Sequence, residues 1–402
     1  MSASNTTRPL SGREPRRAVF LDRDGTINVE VEHLKRAEEL ELFGGAAEAV
    51  GRLNRAGYLA VVVTNQSVVA RGEVTREGLE RIHAHLDHLL GLHHAYLDRI
   101  YACPHYPDPG LPGGIAELLV DCTCRKPATG SIDAACRDLG INLAESWLVG
   151  DTTSDIETGR RARLTTILVQ TGHAGHDGRF PLDPDYVMAD LAAAVDWILE
   201  GHPALRRRMA PVVAAAAGAR LVVIGGLARS GKSSAARVLQ EAASATGRAA
   251  HVIPLDLWLC PGPEDEANSA TARYDIEDML VTVRRLVGHR DRIAVELPAD
   301  NGAVRSGRGH SRHFSIDADD LLIVEGAPAL LVDRLVRLAD VRVHMARPAS
   351  EQATERRAGP RQRQMSEETG DVRSASPPTD EATKVEAAKA RADFIVAAWI
   401  AA

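Results

Sequence analysis

The sequence lacks any long hydrophobic run, and no stretch approaches the roughly 18 apolar residues that a membrane-spanning helix needs. Residues 1–17 are polar and rich in arginine, without the apolar core of a signal peptide. We expect a flexible tail there, with a transit peptide as the alternative. The chain also lacks an excess of positive charge, because its formal net charge is −7. A cytoplasmic protein is expected, with no membrane or nucleic-acid partner favoured.

Cysteine is scarce, with five residues in 402. Three of the five stand with a histidine in two close pairs, Cys103 with His105 and Cys122 with Cys124. This spacing favours a metal over a disulfide framework, in a reducing compartment. Thiolates and imidazole suit tetrahedral Zn²⁺, and the stretch between the pairs is rich in proline and glycine with little core of its own. We therefore expect a structural zinc that staples this loop.

The length and the pattern of the chain predict two α/β domains, each a doubly wound parallel sheet. Short apolar runs alternate with helical patterns, as in βαβ units. We expect one domain over 18–200, a linker helix over 201–219 and a second domain over 220–402. The elements expected in the first domain are strands Ala18–Leu21, Leu59–Thr64, Arg99–Ala102, Ser146–Gly150 and Thr165–Val169, with helices that include Gly45–Ala56 and Glu77–Leu89.

The most informative motif is DRDGT at 22–26, directly after the apolar run Ala18–Leu21. Asp22 and Asp24 then stand at the carboxyl end of a buried strand, where open α/β sheets bind ligands. One carboxylate there can attack phosphorus while its neighbour acts as acid and base. Taken alone, the motif is equally compatible with an ordinary polar turn after a strand.

Three further signals follow in order, two of them also at predicted strand ends. TNQS at 64–67 offers a hydroxyl and backbone N–H groups that can hold a phosphoryl oxygen. RKP at 125–127 offers cations for developing negative charge. GDTTSD at 150–155 ends a strand in carboxylates, which suit a hard cation such as Mg²⁺. Four such signals in one order point to phosphoryl chemistry.

These motifs resemble those of the haloacid-dehalogenase-like (HAD-like) phosphatases. Residues 18–190 look most like the histidinol-phosphate and D-glycero-D-manno-heptose 1,7-bisphosphate phosphatase group, although Val68 stands where that group commonly has glycine. The resemblance implies that Asp22 is the nucleophile that forms an aspartyl-phosphate. It implies that Asp24 protonates the leaving oxygen and then activates water.

The same resemblance assigns the supporting roles. Thr64 and Lys126 would hold the phosphoryl group, and Asn65 and Arg125 would contact the substrate. The implied Mg²⁺ ligands are Asp22, the backbone carbonyl of Asp24, and Asp151, with support from Asp155. The two Cys/His pairs also occur in this group, where they hold structural zinc.

The second domain opens on GLARSGKS at 226–233, which matches the phosphate-binding P-loop. It follows the apolar run Leu221–Ile224 and precedes the helical pattern Ser234–Ala242. Lys232 would reach the β and γ phosphates of ATP, and Ser233 would ligate Mg²⁺. The expected nucleotide contacts are Gly226, Ser230, Gly231, Lys232, Ser233 and Ser234.

Two further apolar runs of this domain end in carboxylates, Val252–Asp256 and Leu321–Gly326, the second at Glu325. The arrangement resembles the uridine kinase and phosphoribulokinase group. It implies that Asp256 faces an acceptor hydroxyl as base and that Glu325 supports Mg²⁺ or water. Loose matches to substrate contacts of that group, or else surface pairs, are Arg273, Tyr274 and Asp275, and Asp300 with Arg305.

From Arg356 to about Thr383 the chain is polar, and we expect a mobile loop or partly disordered segment. This segment has three arginines that would form either a phosphate-closing lid or a solvated charged loop: Arg356, Arg357 and Arg361.

The sequence as a whole predicts a bifunctional enzyme. One half would hydrolyse a phosphorylated sugar, best matched by the heptose bisphosphate, and the other would phosphorylate a sugar or nucleoside with ATP. Three alternatives stay open: a histidinol-phosphate phosphatase fused to a kinase, a polynucleotide kinase-phosphatase, and a phosphatase regulated by a nucleotide-sensing P-loop. The acidic net charge and the zinc pairs argue against nucleic-acid repair, and Asp256 argues for kinase chemistry rather than sensing.

Overall fold

The structure, a computed structural model, describes residues 15–260, 271–297, 312–347 and 379–399. The chain divides into two compact units, Met1–Glu200 and Gly201–Ala402. Both units are α/β and each is built on a parallel sheet, as the sequence predicted. In the described part of the chain, no helix has the length and apolar character needed to cross a membrane.

The described residues of the first unit form a parallel sheet in the order β3-β2-β1-β4-β5-β6. Its strands are β1 (Ala18–Leu21), β2 (Leu59–Asn65), β3 (Arg99–Cys103), β4 (Trp147–Gly150), β5 (Thr165–Val169) and β6 (Tyr186–Met188). The five predicted strands are present to within one residue. Strand β6 was not predicted, because three residues are too few to show a pattern.

Helices cover this sheet, so its central strands are apolar on both faces. They are α1 (Ala46–Arg55), α2 (Arg76–Gly91), α3 (Gly130–Leu139), α4 (Thr153–Ala162) and α5 (Leu191–Asp196), which a π-helical turn, Trp197–Gly201, follows. Phe20 of β1 and Val61 of β2 pack with Ile132 of α3 in one buried cluster. The helix expected at Gly45–Ala56 is α1, and the one expected at Glu77–Leu89 is α2.

Strand register brings the phosphatase motifs to one edge of the sheet. Leu21, the last residue of β1, pairs with Val62 of β2 on one side and Val149 of β4 on the other. The residues that follow β1, β2 and β4 therefore meet at the carboxyl ends of three adjacent strands, where α/β sheets bind ligands.

The second unit has a parallel sheet in the order β13-β12-β7-β11-β8 and, among its described residues, an antiparallel pair β9-β10. The strands are β7 (Leu221–Gly225), β8 (Ala250–Pro254), β9 (Ile293–Leu297), β10 (Arg312–Ile316), β11 (Leu321–Glu325), β12 (Val341–Ala346) and β13 (Phe394–Ala397). The helices are α6 (His202–Ala216), α7 (Lys232–Ala245), α8 (Ile276–Gly288), α9 (Asp333–Leu338) and α10 (Thr379–Ala387). The P-loop joins the central strand β7 to α7.

The linker helix expected over 201–219 is present as α6, which packs against α7, and its role as a linker stays a prediction. Two other expectations for this unit need correction. The strand expected to end at Asp256 ends at Pro254, and Asp256 lies in the 3₁₀ turn Leu255–Trp258 because the chain turns after the proline. The polar segment expected up to Thr383 is helical from Thr379 onward. Five residues singled out in the sequence lie outside the described residues: Asp300, Arg305, Arg356, Arg357 and Arg361.

Candidate active sites

Asp22 lies at the end of β1 with both carboxylate oxygens engaged. Its Oδ1 accepts a hydrogen bond from the Arg23 backbone N–H at 2.7 Å, and its Oδ2 lies 2.8 Å from Lys126 Nζ. Burial and repulsion from Asp155 raise the pKa of Asp22 to about 8, although Lys126 opposes the shift. The carboxylate faces a cavity of about 600 Å³. The structure thus places the predicted nucleophile at the wall of a substrate-sized space.

Lys126 is the central cation of this site. Its Nζ lies 2.8 Å from Asp22 Oδ2 and 2.6 Å from Asp155 Oδ1. Burial lowers the pKa of Lys126, but attraction to Asp155 and Asp22 outweighs it and the pKa lies above its ordinary value. The side chain of Asn65 exchanges two hydrogen bonds with the Lys126 backbone. Asn65 therefore holds Lys126 in this structure, and its expected contact with substrate stays a prediction.

Asp22, Asp151 and Asp155 form a trio whose carboxylate oxygens lie within 4.8 Å of one another. Asp151 is fully buried and its Oδ1 has no protein partner among the described residues. A Cβ atom added to Gly25 or Gly172 would collide with this carboxylate, so both glycines are needed for it to fit. Hard carboxylate oxygens with one unpartnered buried atom fit Mg²⁺.

Asp155 is the most constrained member of the trio. It belongs to the capping box of α4, where its Oδ2 accepts hydrogen bonds from the N–H and the hydroxyl of Thr152. Its other oxygen contacts Lys126. Asp155 thus orients Lys126 from the start of α4, and its expected supporting role at Mg²⁺ stays a prediction.

Asp24 accepts hydrogen bonds from three side chains. Arg23 binds it through Nε at 3.0 Å and Nη2 at 2.8 Å, Asn28 Nδ2 lies at 2.9 Å, and Gln66 Nε2 lies at 2.8 Å. Burial raises the pKa of Asp24, but the Arg23 charge and these hydrogen bonds hold it below its ordinary value. Gln66 also reaches Thr64, so the two predicted residues share one partner.

Several cavity residues were not predicted from the sequence: Glu30, Arg71, Tyr106 and Arg179. Arg71 and the predicted Arg125 both place a guanidinium over the Tyr106 ring, at 4.5 and 5.4 Å from its centroid. Arg179 lines the same cavity and its charge helps to lower the pKa of Arg125, after burial. Glu30 also lines it, and burial followed by repulsion from Asp24 raises the pKa of Glu30 to about 7. These residues lie on loops that carry no periodic signal, although Tyr106 directly follows a predicted zinc ligand.

The zinc pairs converge as predicted. Their ligand atoms lie within 4.8 Å of one another, with Sγ–Sγ distances of 3.1 to 3.5 Å among Cys103, Cys122 and Cys124. His105 Nδ1 lies 3.3 Å from Cys124 Sγ. Three sulfurs and one imidazole nitrogen around one point fit a tetrahedral Zn²⁺ with no open position. Arg125 follows Cys124 in the chain and donates a hydrogen bond to the His105 carbonyl at 3.1 Å. The cluster therefore lies next to Arg125 and Lys126.

The P-loop has the conformation its motif requires. Gly226 and Gly231 have φ of 140° and 80°, and a Cβ at Gly226 would collide with the Met345 carbonyl. Lys232 Nζ donates to the Leu227 carbonyl at 2.9 Å. Ser230 is fully buried and its Oγ has no partner among the described residues. The loop therefore fits phosphates that would take the place of these internal contacts.

The carboxylates of the second unit face this loop. Ser233 Oγ, in the first turn of α7 beside Ser234, donates to Glu325 Oε1 at 2.9 Å. Burial, then repulsion from Asp256, raises the pKa of Glu325, while burial and the Arg347 charge lower that of Lys232. Ser233 and Glu325 together fit the Mg²⁺ that accompanies a nucleotide.

The residues predicted to contact the phosphate acceptor are Asp256 and the run at 273–275. Asp256 is exposed and accepts a hydrogen bond from Tyr274 Oη at 3.3 Å. Asp275 caps α8 by accepting from the Asp278 N–H, so its carboxylate has a structural role. Arg273 adjoins Tyr274, and its substrate contact stays a prediction.

Comparisons with known proteins match the first unit. A family model described as HAD-hydrolase-like matches residues 123–194. A D-glycero-D-manno-heptose-1,7-bisphosphate 7-phosphatase of Thermosynechococcus vestitus is 42% identical over 189 residues, which are 46% of this chain and 96% of that protein. The chain belongs to the HAD-like heptose bisphosphate phosphatase family. Membership of this family rests on the first unit, which the match spans.

Two solved structures each cover about half of this chain. The D,D-heptose 1,7-bisphosphate phosphatase of B. bronchiseptica, solved with magnesium and phosphate, has 32% identity and a TM-score of 0.41, covering 46% of this chain and 98% of its own. A protein of Bacillus stearothermophilus described as a possible uridine kinase has 17% identity and a TM-score of 0.33, covering 48% of this chain and 99% of its own.

Proposed function

We propose that the first unit is a Mg²⁺-dependent phosphatase that removes one phosphate from D-glycero-D-manno-heptose 1,7-bisphosphate. The observation that carries the proposal is the ion pair of Asp22 and Lys126 at the wall of the cavity. A nucleophilic carboxylate beside a fixed cation is what attack on a phosphate dianion requires. The similarity to heptose bisphosphate phosphatases supports the choice of sugar.

The residues divide the reaction into two displacements. Asp22 attacks phosphorus, and the bond from phosphorus to the sugar oxygen breaks as Asp24 gives that oxygen a proton. Asp24 then takes a proton from water, which attacks the aspartyl-phosphate and frees Asp22 and inorganic phosphate. Lys126 and Thr64 hold the non-bridging oxygens throughout. Mg²⁺ bound by Asp22, the Asp24 carbonyl and Asp151 would neutralise charge on the phosphoryl group.

Three arginines in the cavity wall support a bisphosphate as the substrate. Arg71, Arg125 and Arg179 line the cavity beyond Lys126, and guanidinium groups bind phosphate well. A second phosphate on the substrate would meet these cations.

Phosphate release from synthetic substrates tests this proposal. The panel is heptose 1,7-bisphosphate, a heptose monophosphate, histidinol phosphate and a phosphorylated DNA end, with ³¹P NMR to identify which phosphate leaves. We expect the bisphosphate to give the highest kcat/KM and to lose one phosphate only. Preference for histidinol phosphate or for DNA would replace the proposal with the corresponding alternative.

We further propose that the second unit transfers the γ-phosphoryl group of ATP to a hydroxyl of a sugar or nucleoside. The contact of Ser233 with Glu325 beside Lys232 supports a nucleotide and Mg²⁺ site. Asp256 carries the transfer chemistry in this proposal. Its carboxylate is open to solvent and close enough to Lys232 and Glu325 that its charge raises the pKa of both. It would orient or deprotonate the acceptor hydroxyl.

Labelled ATP separates this activity from its alternatives. We expect the label to pass to a member of a panel of sugars and nucleosides and not to oligonucleotide 5′ ends. Transfer to oligonucleotides alone would indicate end repair. ATP binding without transfer to any acceptor, accompanied by a change in phosphatase rate, would indicate a nucleotide-sensing unit.

A further inference from the structure

Gln66 has a side chain that is 4% exposed and makes three hydrogen bonds inside the phosphatase site. Its Nε2 donates to Asp24 Oδ2 at 2.8 Å and to Thr64 Oγ1 at 2.9 Å. Its Oε1 accepts from Arg23 Nη2 at 3.0 Å. The amide therefore joins the residue expected to move the proton to the residue expected to hold the phosphoryl group.

The orientation of this amide is fixed by its neighbours. A guanidinium can only donate, so the oxygen of Gln66 must face Arg23. The nitrogen is then left to face Asp24 and Thr64, both of which can accept. Arg23 is itself fully buried and donates hydrogen bonds to Asp24 from two of its nitrogens. The Gln66 amide can therefore have only one orientation in this cluster.

We propose that Gln66 is a positioning residue that holds the Asp24 carboxyl group at a fixed place relative to Thr64. The inference rests on the proposed role of Asp24 as acid and base. Thr64 fixes where the phosphoryl oxygens lie, so a link from Thr64 to Asp24 fixes where Asp24 meets the leaving oxygen. Gln66 exchanges no proton itself and acts through Asp24 and Thr64.

This role predicts a loss that depends on the leaving group. A sugar alkoxide needs a proton to leave, whereas p-nitrophenolate leaves without one. Gln66→Met keeps the length and volume of the side chain and removes both donors. For the sugar phosphate that the wild type hydrolyses, we expect kcat/KM, which reports the first displacement alone, to fall ~100-fold. For p-nitrophenyl phosphate we expect kcat/KM to fall less than ~3-fold, because hydrolysis of the aspartyl-phosphate, in which Asp24 activates water, affects kcat and not kcat/KM.

Three further variants make the test decisive. Gln66→Glu keeps the acceptor for Arg23 and loses the donor to Asp24, so it should show the same selective loss even if Gln66→Met does not fold. Asp24→Asn should show the selective loss more strongly. Thr64→Val should slow both substrates alike, because the phosphoryl group is common to them. Zinc content identical to the wild type shows that each variant retains the first unit's fold.

The outcomes separate the inference from the proposed function. Equal losses on both substrates, or no loss, in a folded Gln66 variant would overturn the positioning role while Asp24→Asn keeps its selectivity. Absence of selectivity in Asp24→Asn would remove the proton-transfer role of Asp24, and the inference with it. A wild type that hydrolyses neither class of ester would refute the phosphatase proposal itself.

Discussion

The Asn65 side chain and the Lys126 backbone are joined by a hydrogen bond in each direction. Asn65 Oδ1 accepts from the Lys126 N–H at 2.9 Å, and Asn65 Nδ2 donates to the Lys126 carbonyl at 3.2 Å. Asn65, at the end of β2, thereby fixes the position of Lys126, whose ammonium group contacts Asp22. Precision at this point matters because catalysis by a bound cation depends steeply on its position.

Asn65→Ala should therefore reduce phosphatase kcat/KM by ~10- to 100-fold, because the Lys126 backbone loses both tethers. The matched control is Asn54→Ala. Asn54 exchanges the same two hydrogen bonds with the Tyr96 backbone, at 3.0 and 3.1 Å, away from the cavity. Steady-state kinetics of both variants check the prediction. A comparable loss in Asn54→Ala would mean that the effect is general destabilisation.

Asp22→Asn should lower the rate of phosphate release by several orders of magnitude, because an amide cannot form the acyl phosphate. ATP binding, measured by calorimetry, should be unchanged, since the P-loop belongs to the other unit. Residual phosphatase activity within about tenfold of the wild type would contradict the role given to this carboxylate.

Elemental analysis of the purified protein should find about one zinc per chain. Cys124→Ser should lose the metal and with it most phosphatase activity, because Arg125 and Lys126 follow Cys124 directly in the chain. Cys136→Ser is the control: this cysteine lies in α3 and not among the four clustered ligands. Full activity in zinc-free Cys124→Ser would show that the loop keeps its shape without metal.

Lys232→Ala should remove phosphoryl transfer from ATP and leave phosphate release from sugar phosphates unchanged. Asp256→Asn should bind ATP normally and transfer ~100-fold more slowly, because the acceptor hydroxyl loses its base. Binding and transfer are measured separately, by calorimetry and with labelled ATP. Equal loss of binding in both variants would place Asp256 in the nucleotide site instead of the acceptor site.

His83 of α2 gives a prediction for stability against pH. Burial, then repulsion from Arg23, lowers its pKa from 6.5 to about 4. Above pH 6.5 both folded and unfolded chains hold it neutral, and stability is unaffected. As the pH falls from 6.5 toward 4, the unfolded chain binds a proton that the folded chain refuses, so the folded state loses stability.

Urea unfolding at pH 7 and pH 5 measures this effect. His83→Gln, which cannot titrate, should lose about 1 to 2 kcal/mol less unfolding free energy over that interval than the wild type. The comparison between proteins cancels the titration of other groups. An identical pH dependence in the two proteins would show that the His83 pKa is not lowered.

Much of both sites could be predicted because their signals are local. Each carboxylate or glycine motif directly follows an apolar run, and parallel strands bring such ends together. The cluster around Gln66 could not be predicted, since it depends on the buried path of Arg23, which a charge in a turn does not reveal. The same holds for Arg71 and Arg179, whose place at the cavity is set by loops packed against other loops.

One consequence of the Cys/His cluster concerns where this chain tolerates insertions. A metal bound by the cluster would fasten both ends of the segment between His105 and Cys122, and residues 107–110 within it are exposed. A peptide tag or fluorescent reporter inserted there would leave the ligands in place. One extra residue between Cys124 and Lys126 would instead shift the cation away from Asp22. The number of residues from Cys124 to Lys126 must therefore stay unchanged, whereas the loop at 107–110 accepts insertions.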